Sequence, residues 1–124
     1  MLKVMIVDDL KIMRHIIKKQ LEQLGYEIIA EATSGIEALS LYKSLKPNIV
    51  TMDIMMPGEN GVRNGLDSLK LIKKFDNDAN IIIITSDNKE ESVKKALSAG
   101  AKGYILKPTD KERLKTVLDN LNID

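Results

Sequence analysis

Side chains that could do chemistry follow the apolar segments of this sequence. Carboxylates stand at Asp8, Asp9 and Asp53, a hydroxyl at Thr85 and an ammonium at Lys107. Two unit charges ~4 Å apart, in an effective dielectric near 20, repel each other by about 4 kcal/mol. Carboxylates that crowd together therefore either bind protons or recruit a cation. An oxygen ligand set with an incomplete protein shell suits Mg²⁺, which keeps water molecules and shares itself with phosphate oxygens.

Each of these residues alone has an ordinary explanation. Asp8 or Asp9 could cap a helix that begins near Lys11, because aspartate is a preferred N-cap residue. Thr85 could be a simple strand former, and Lys107 a solvated lysine at a strand end. Asp53 lies in its own loop, so the capping explanation does not cover it. The combination at separate strand ends indicates a site.

The chain alternates short apolar segments with segments of helical periodicity. The apolar segments cover residues 2–7, 27–32, 49–52, 81–84 and 104–106. The first, third and fourth are nearly continuously apolar, as strands covered on both faces are. The first helical stripe comprises Ile12, Met13, Ile16, Ile17, Leu21 and Leu24.

This alternation predicts five β-α units. Right-handed crossovers then favour an α/β fold, an open parallel sheet with helices on both faces. In such a sheet ligands bind at the carboxyl ends of the strands. The carboxylates, the hydroxyl and the ammonium all stand at those ends.

Local signals mark the helix boundaries. Ser34 with Glu37, and Thr109 with Glu112, fit the capping box, in which a hydroxyl and a glutamate satisfy backbone amides reciprocally. The glycines that we expect to end helices in a left-handed conformation are Gly25 and Gly100.

Composition excludes several classes of protein. The 124 residues are 44% apolar and carry a net charge of +1, which gives no reason to expect nucleic acid or an anionic membrane as a partner. The absence of cysteine excludes disulfides and thiolate chemistry. The N-terminus becomes charged too early for a secretory segment, and no apolar run approaches membrane length. We expect a cytoplasmic protein in which residues 1–124 form one domain.

The residues at the strand ends carry a family resemblance. Asp8-Asp9, Asp53, Thr85 and Lys107-Pro108, with the segments EATSGIEAL, KPNIVTMDIMMPG and AGAKGYILKP between them, resemble the receiver domain of two-component response regulators. The resemblance covers essentially the whole chain. It implies a doubly wound, flavodoxin-like (βα)5 fold with strand order 2-1-3-4-5 and a cis peptide bond before Pro108.

The resemblance also implies roles for the carboxylates. Asp53 would be the phosphoacceptor, a nucleophile toward the phosphohistidine of a histidine kinase. Asp9 and Asp53, with the backbone carbonyl of Met55, would hold Mg²⁺, for which Mn²⁺ could substitute. Asp8 would act largely through a bound water. The implied protein is a signalling switch rather than an enzyme, since it catalyses only its own phosphorylation and dephosphorylation.

Two further residues would bind the phosphoryl group. Lys107 would pair with one phosphoryl oxygen and Thr85 would donate a hydrogen bond to another, with help from a backbone amide near Ser86. Tyr104 resembles the aromatic switch residue of the family, which moves inward when the hydroxyl of Thr85 is drawn to phosphate and so changes the surface of the fourth helix, fifth strand and fifth helix. The alternative for Tyr104 is an ordinary half-buried strand residue.

The sequence departs from the family pattern in places. The segment PGENGVRNGLDSL contains two Asn-Gly pairs, at Asn60-Gly61 and Asn64-Gly65, and reads as a tandem copy that adds residues 59–62. We expect this loop to tune kinase docking or the lifetime of the phosphoryl group. Met55 stands at a position where the residue type also affects that lifetime in the family. Thr109 stands where phenylalanine often follows Lys-Pro, and we expect it to double as a helix cap.

Other functions compete with this interpretation. Within signalling, the rival is a phosphorelay intermediate. A haloacid dehalogenase-type phosphatase also uses Asp, Thr and Lys around Mg²⁺, but it needs a second aspartate where Met55 stands. A flavodoxin-like flavin carrier needs a phosphate loop where Asp8-Asp9 stand.

The resemblance implies protein partners. Because the chain ends about one helix after Lys107-Pro108, we expect no DNA-binding output domain and therefore an output through protein contacts. The expected partners are a histidine kinase, a downstream target such as the flagellar motor switch, and a phosphatase. We expect a monomer that acts in chemotaxis.

Overall fold

A computed structural model describes residues 1–56 and 64–123. Five strands alternate with five helices over the described residues. In chain order they are β1 (Lys3–Val7), α1 (Lys11–Gln23), β2 (Glu27–Ala32), α2 (Gly35–Leu45), β3 (Ile49–Met52), α3 (Gly65–Phe75), β4 (Ile81–Thr85), α4 (Glu90–Ser98), β5 (Gly103–Leu106) and α5 (Lys111–Asp119). The predicted strands coincide with these or differ by one residue at an end.

The five strands form one parallel sheet in the order β2-β1-β3-β4-β5. The predicted α/β fold and strand order are confirmed. Alternate side chains of each strand enter different cores. Along β4, Ile81 and Ile83 pack with α2, α3 and α4, whereas Ile82 and Ile84 pack with α1 and α5. Both faces are covered, which is why the strands read as continuous apolar runs.

Helix α1 buries a narrower face than its apolar residues predict. Ile17 and Leu21 are buried in the second core, but Ile12 is 64% exposed and Ile16 is 38% exposed. The predicted stripe of six residues is therefore only partly right. Six apolar positions span more of the helix circumference than the sheet can cover, so the excess faces solvent.

The two predicted capping boxes fare differently. Ser34 caps α2 by accepting from the amide of Glu37, and the Glu37 carboxylate accepts from the amide of Thr33. The prediction for Thr109 is wrong. Asp110 caps α5, and the hydroxyl of Thr109 instead donates to the side chain of Gln20. The predicted left-handed glycines, Gly25 and Gly100, have φ angles of 93° and 108°.

The second Asn-Gly pair begins α3. Asn64 is the N-cap residue, and its side chain accepts from the amides of Leu66 and Asp67. The first pair, with the added residues 59–62, lies outside the described residues. Gly65 approaches the chain just after β3 so closely that a Cβ there would overlap the carbonyl oxygen of Asp53 and lie 2.8 Å from the Cα of Ile54. The absence of a side chain at Gly65 therefore lets α3 pack against the strand end that carries Asp53.

We predict that Gly65→Ala destabilises the protein by roughly 1–3 kcal/mol, the usual cost of overpacking. The direction is informative, because alanine is the better helix former by about 1 kcal/mol and would stabilise an uncrowded helix. Urea denaturation gives the free energy of unfolding, and amide NMR gives the displacement of Asp53 and Ile54.

Gly25→Ala is the matched control. Beyond the two neighbouring residues in the chain, no heavy atom lies within 4 Å of a Cβ at Gly25, so that variant tests the left-handed backbone alone. It should destabilise without moving the Asp53 amide. A Gly65→Ala protein as stable as the wild type, with an unshifted Asp53 amide, would contradict the steric argument.

Candidate functional site

Four strand ends bring the predicted polar residues to one edge of the sheet. Asp8 follows β1, Asp53 follows β3, Thr85 is the last residue of β4, and Lys107 follows β5. Asp8 is 1% exposed, Asp53 4% and Thr85 0%. Groups this polar are rarely so buried unless they have hydrogen-bond partners, and all three residues have such partners here.

The ammonium of Lys107 joins the two buried carboxylates. Its Nζ lies 2.7 Å from Oδ2 of Asp8 and 2.6 Å from Oδ2 of Asp53. Burial acts to lower the pKa of Lys107, but the hydrogen bonds and charges of Asp53 and Asp8 outweigh it and the pKa is raised. Lys107 therefore remains a cation at neutral pH. The Lys107–Pro108 peptide bond is cis, as the resemblance implied.

The second oxygen of each carboxylate is bound by its own loop. Oδ1 of Asp8 accepts from the amide of Leu10 at 2.9 Å, and Oδ1 of Asp53 accepts from the amide of Met55 at 2.9 Å. Leu10 is the N-cap residue of α1 and makes no side-chain cap. Asp8 thus orders its loop rather than capping the helix, so the ordinary explanation by capping does not hold for it.

Three carboxylates fit a cation at this edge. One oxygen from each of Asp8, Asp9 and Asp53 lies within 4.8 Å of the others, and Asp9 is exposed to solvent. An all-oxygen set of this size, open on one side, suits Mg²⁺ or Mn²⁺ with water completing the shell. The donor set therefore fits the predicted metal. The Met55 carbonyl remains a predicted ligand.

The hydroxyls of Thr85 and Tyr104 are linked through one residue. Oγ1 of Thr85 accepts from the amide of Asp87 at 3.3 Å, and the hydroxyl of Tyr104 donates to the carbonyl of Asp87 at 2.7 Å. The carboxylate of Asp87 accepts from the amide of Lys89 and the hydroxyl of Ser92, at the start of α4. The connection between β4 and α4 is thus bonded to the hydroxyls of both Thr85 and Tyr104, the two hydroxyl residues that the sequence analysis identified.

Sequence reasoning missed Asp87, and it also missed Arg14. The guanidinium of Arg14 donates to the carbonyl of Asp8 at 3.0 Å and pairs with Glu31 at 3.0 Å. It thereby holds the peptide between Asp8 and Asp9. No spacing rule could have selected Arg14, because its partners lie on two other segments of the chain.

Across the described parts of the chain, residues 1–56 and 64–123, none of the helices has the length and apolar character that a bilayer crossing needs.

Known proteins of similar sequence and structure include chemotaxis proteins. The chain is 42% identical to the chemotaxis protein CheY of Thermotoga maritima, over 97% of both chains. It is 41% identical to the chemotaxis protein CheY of Halobacterium salinarum, over 96% of this chain and 95% of that one. Among solved structures, that of the CheX-CheY-BeF3-Mg complex of Borrelia burgdorferi matches with a TM-score of 0.92 and 33% identity, over 99% of this chain and 90% of that one.

The family is established by a match over nearly the whole chain. The sequence profile described as "Response regulator receiver domain" matches residues 4–119, which include all of the described strands and helices except Lys3, the first residue of β1. The receiver match, with Met55 where the phosphatase needs its second aspartate, argues against the haloacid dehalogenase alternative. The chain belongs to the response regulator receiver domain family.

Proposed function

We propose that this receiver accepts a phosphoryl group on Asp53 from the phosphohistidine of a histidine kinase, in a Mg²⁺-dependent reaction. One observation carries the proposal. The carboxylate of Asp53 is nearly buried, yet it is held 2.6 Å from the ammonium of Lys107 and within 4.8 Å of the oxygens of Asp8 and Asp9. A buried carboxylate with a cation on one side and further carboxylates on the other is prepared for a ligand that brings both a metal and negative charge.

The side chains present perform the transfer as follows. A carboxylate oxygen of Asp53 forms the new O–P bond as the P–N bond of the phosphohistidine breaks, and the leaving imidazole takes up a proton from solvent water. The ammonium of Lys107 neutralises one phosphoryl oxygen, and the hydroxyl of Thr85 donates to another. When bound by Asp8, Asp9, Asp53 and the Met55 carbonyl, Mg²⁺ supplies the positive charge that offsets the crowded carboxylates and the phosphoryl oxygens.

The same residues provide the switch. The hydroxyl of Thr85 that donates to a phosphoryl oxygen also accepts from the amide of Asp87, so drawing it toward the phosphoryl group pulls on Asp87. The carbonyl of Asp87 holds Tyr104, and α4 begins at Glu90, three residues later. Phosphorylation is therefore read out on the surface formed by α4, β5 and α5.

The output is a protein contact, and we assign it to chemotaxis. The relatives from Thermotoga maritima and Halobacterium salinarum are named chemotaxis proteins, and the Borrelia burgdorferi relative is seen in a complex with another protein. The target would be a component such as the flagellar motor switch, with a phosphatase to end the signal. The net charge of +1 does not favour nucleic acid or a membrane, and we propose a cytoplasmic monomer.

We predict that Asp53→Asn abolishes labelling by acetyl phosphate while the protein stays folded, since the amide keeps the size of the side chain but is not a nucleophile. Labelling of the wild type should require Mg²⁺ and stop when EDTA is added. Intact-protein mass spectrometry measures the phosphoryl group, and circular dichroism checks the fold. Asp78→Asn, an exposed carboxylate outside the site, is the matched control and should label as the wild type does. Full labelling of Asp53→Asn would show that another residue is the acceptor.

We predict that Tyr104→Phe separates phosphorylation from output. The variant keeps the ring but loses the hydrogen bond to Asp87, worth about 0.5–1.5 kcal/mol, so the switch equilibrium should change by roughly 2-fold to 10-fold. With beryllofluoride and Mg²⁺, the amide NMR shifts at Lys94, Ala99 and Lys111 should become smaller than in the wild type. Labelling of Asp53 should stay within about twofold, the lower limit of that range, because the acceptor and the residues that bind the phosphoryl group are unchanged.

Tyr26→Phe is the control, because Tyr26 lies just before β2, away from this edge of the sheet. It should leave the shifts unchanged. Equal shifts in the Tyr104→Phe protein and the wild type would mean that the Asp87 link does not carry the signal.

A further inference from the structure

The connection between β5 and α5 is tied to α1 by a reciprocal pair of hydrogen bonds. Nε2 of Gln20 donates to the carbonyl of Thr109 at 3.0 Å, and the hydroxyl of Thr109 donates to Oε1 of Gln20 at 2.8 Å. Thr109 is only 9% exposed. The two bonds also determine the orientation of the amide, since the flipped amide would face the Thr109 carbonyl with its own oxygen.

This pair lies at a point where the backbone has few other ways to be held. The amide of Lys107 bonds to the carbonyl of Thr85 at 2.9 Å and extends the sheet by one residue. Pro108 has no amide hydrogen to donate. Asp110 then caps α5 through the amide of Arg113. Gln20 binds Thr109, which lies between the end of the sheet and the start of α5 and is 89 positions away from Gln20 in sequence.

We propose that Gln20 is a positioning residue for Lys107, and this inference rests on the function proposed above. The Lys107 side chain has a flexible stem of four carbons. It must place its one nitrogen within 2.7 Å of two carboxylates that lie on different loops. A site of this kind works only if the backbone that carries the side chain is held to a fraction of an ångström. Gln20 supplies that restraint by fixing Thr109, two residues beyond Lys107.

Helix α1 thereby restrains both the loop that carries Asp8 and the segment that carries Lys107. Arg14 on this helix donates to the backbone carbonyl of Asp8. The carboxylate of Asp8 in turn accepts from Lys107. Gln20 holds the chain that carries Lys107. The donor and the acceptor of this buried ion pair are thus both anchored to one rigid element.

The test compares variants that remove the pair in steps. Gln20→Met keeps the length of the side chain and removes both bonds, Thr109→Val removes the hydroxyl alone, and Thr109→Ser restores it. Gln23→Met, an exposed glutamine at the end of the same helix, is the matched control. Two quantities are measured for each: the rate of Asp53 phosphorylation by acetyl phosphate in saturating Mg²⁺, and amide hydrogen exchange at Lys107 relative to Ile83 in the core of β4.

The expected result is a graded local effect. In the Gln20→Met protein, Asp53 should be phosphorylated about tenfold more slowly, because misplacing a reacting group by a fraction of an ångström slows a reaction by about this factor. Exchange at Lys107 should become about tenfold faster while that at Ile83 changes by less, because local opening is separate from global unfolding. Thr109→Val should lie between Gln20→Met and the wild type, and both Thr109→Ser and Gln23→Met should match the wild type.

Other outcomes decide against the proposal. If Gln20→Met keeps the wild-type rate, or if exchange at Lys107 and Ile83 rises equally, the pair stabilises the fold without positioning Lys107. If Gln20→Met does not fold, Thr109→Val supplies both measurements. If the wild type itself takes no phosphoryl group, the proposed function fails, and the exchange ratio alone judges whether Gln20 restrains Lys107.

Discussion

The site depends on one buried ammonium placed between two buried carboxylates. Lys107 bonds to Asp8 and to Asp53 at 2.7 Å and 2.6 Å. Removing one member of such a buried pair typically destabilises a protein by about 3–5 kcal/mol, because the remaining charge is left uncompensated. Two carboxylates against one ammonium leave one negative charge in excess, and Asp9 adds another. The cluster therefore carries an excess of negative charge, which favours the binding of a divalent cation.

The order of the strands explains which residue types occupy the cluster. Strands β1 and β3 are neighbours, with Val7 opposite Met52, so the residues that follow them, Asp8 and Asp53, meet with short side chains. Strand β5 is separated from β3 by β4, and two strand spacings amount to about 10 Å. Only a long side chain can cross that distance, which suits lysine at position 107. Thr85 stands on the intervening strand, where a short hydroxyl is long enough.

In the proposed switch, the surrounding residues hold one side of the site and connect the other side to neighbouring elements. Arg14 and Gln20 restrain the loops that carry Asp8 and Lys107, whereas Asp87 links the buried hydroxyl of Thr85 to the half-buried ring of Tyr104. One side of the site is therefore held by a helix, and the other is connected to α4 and β5 by single hydrogen bonds. Single bonds worth about 1 kcal/mol each are easily exchanged when a phosphoryl oxygen competes for a hydroxyl.

Sequence alone determined the five β-α units and the polar residues at the strand ends, because hydrophobic periodicity and the cost of exposing or burying charge are local properties. The strand order came from the family resemblance, since pairing between distant strands leaves no local pattern. Tertiary structure decided the rest. At the start of α5 the sequence predicts Thr109 as the cap, but the fold assigns Asp110 because Gln20, 89 positions away, takes the Thr109 hydroxyl. Asp87, Arg14 and Gln20 act through partners that only the packed sheet and helices bring within hydrogen-bond distance.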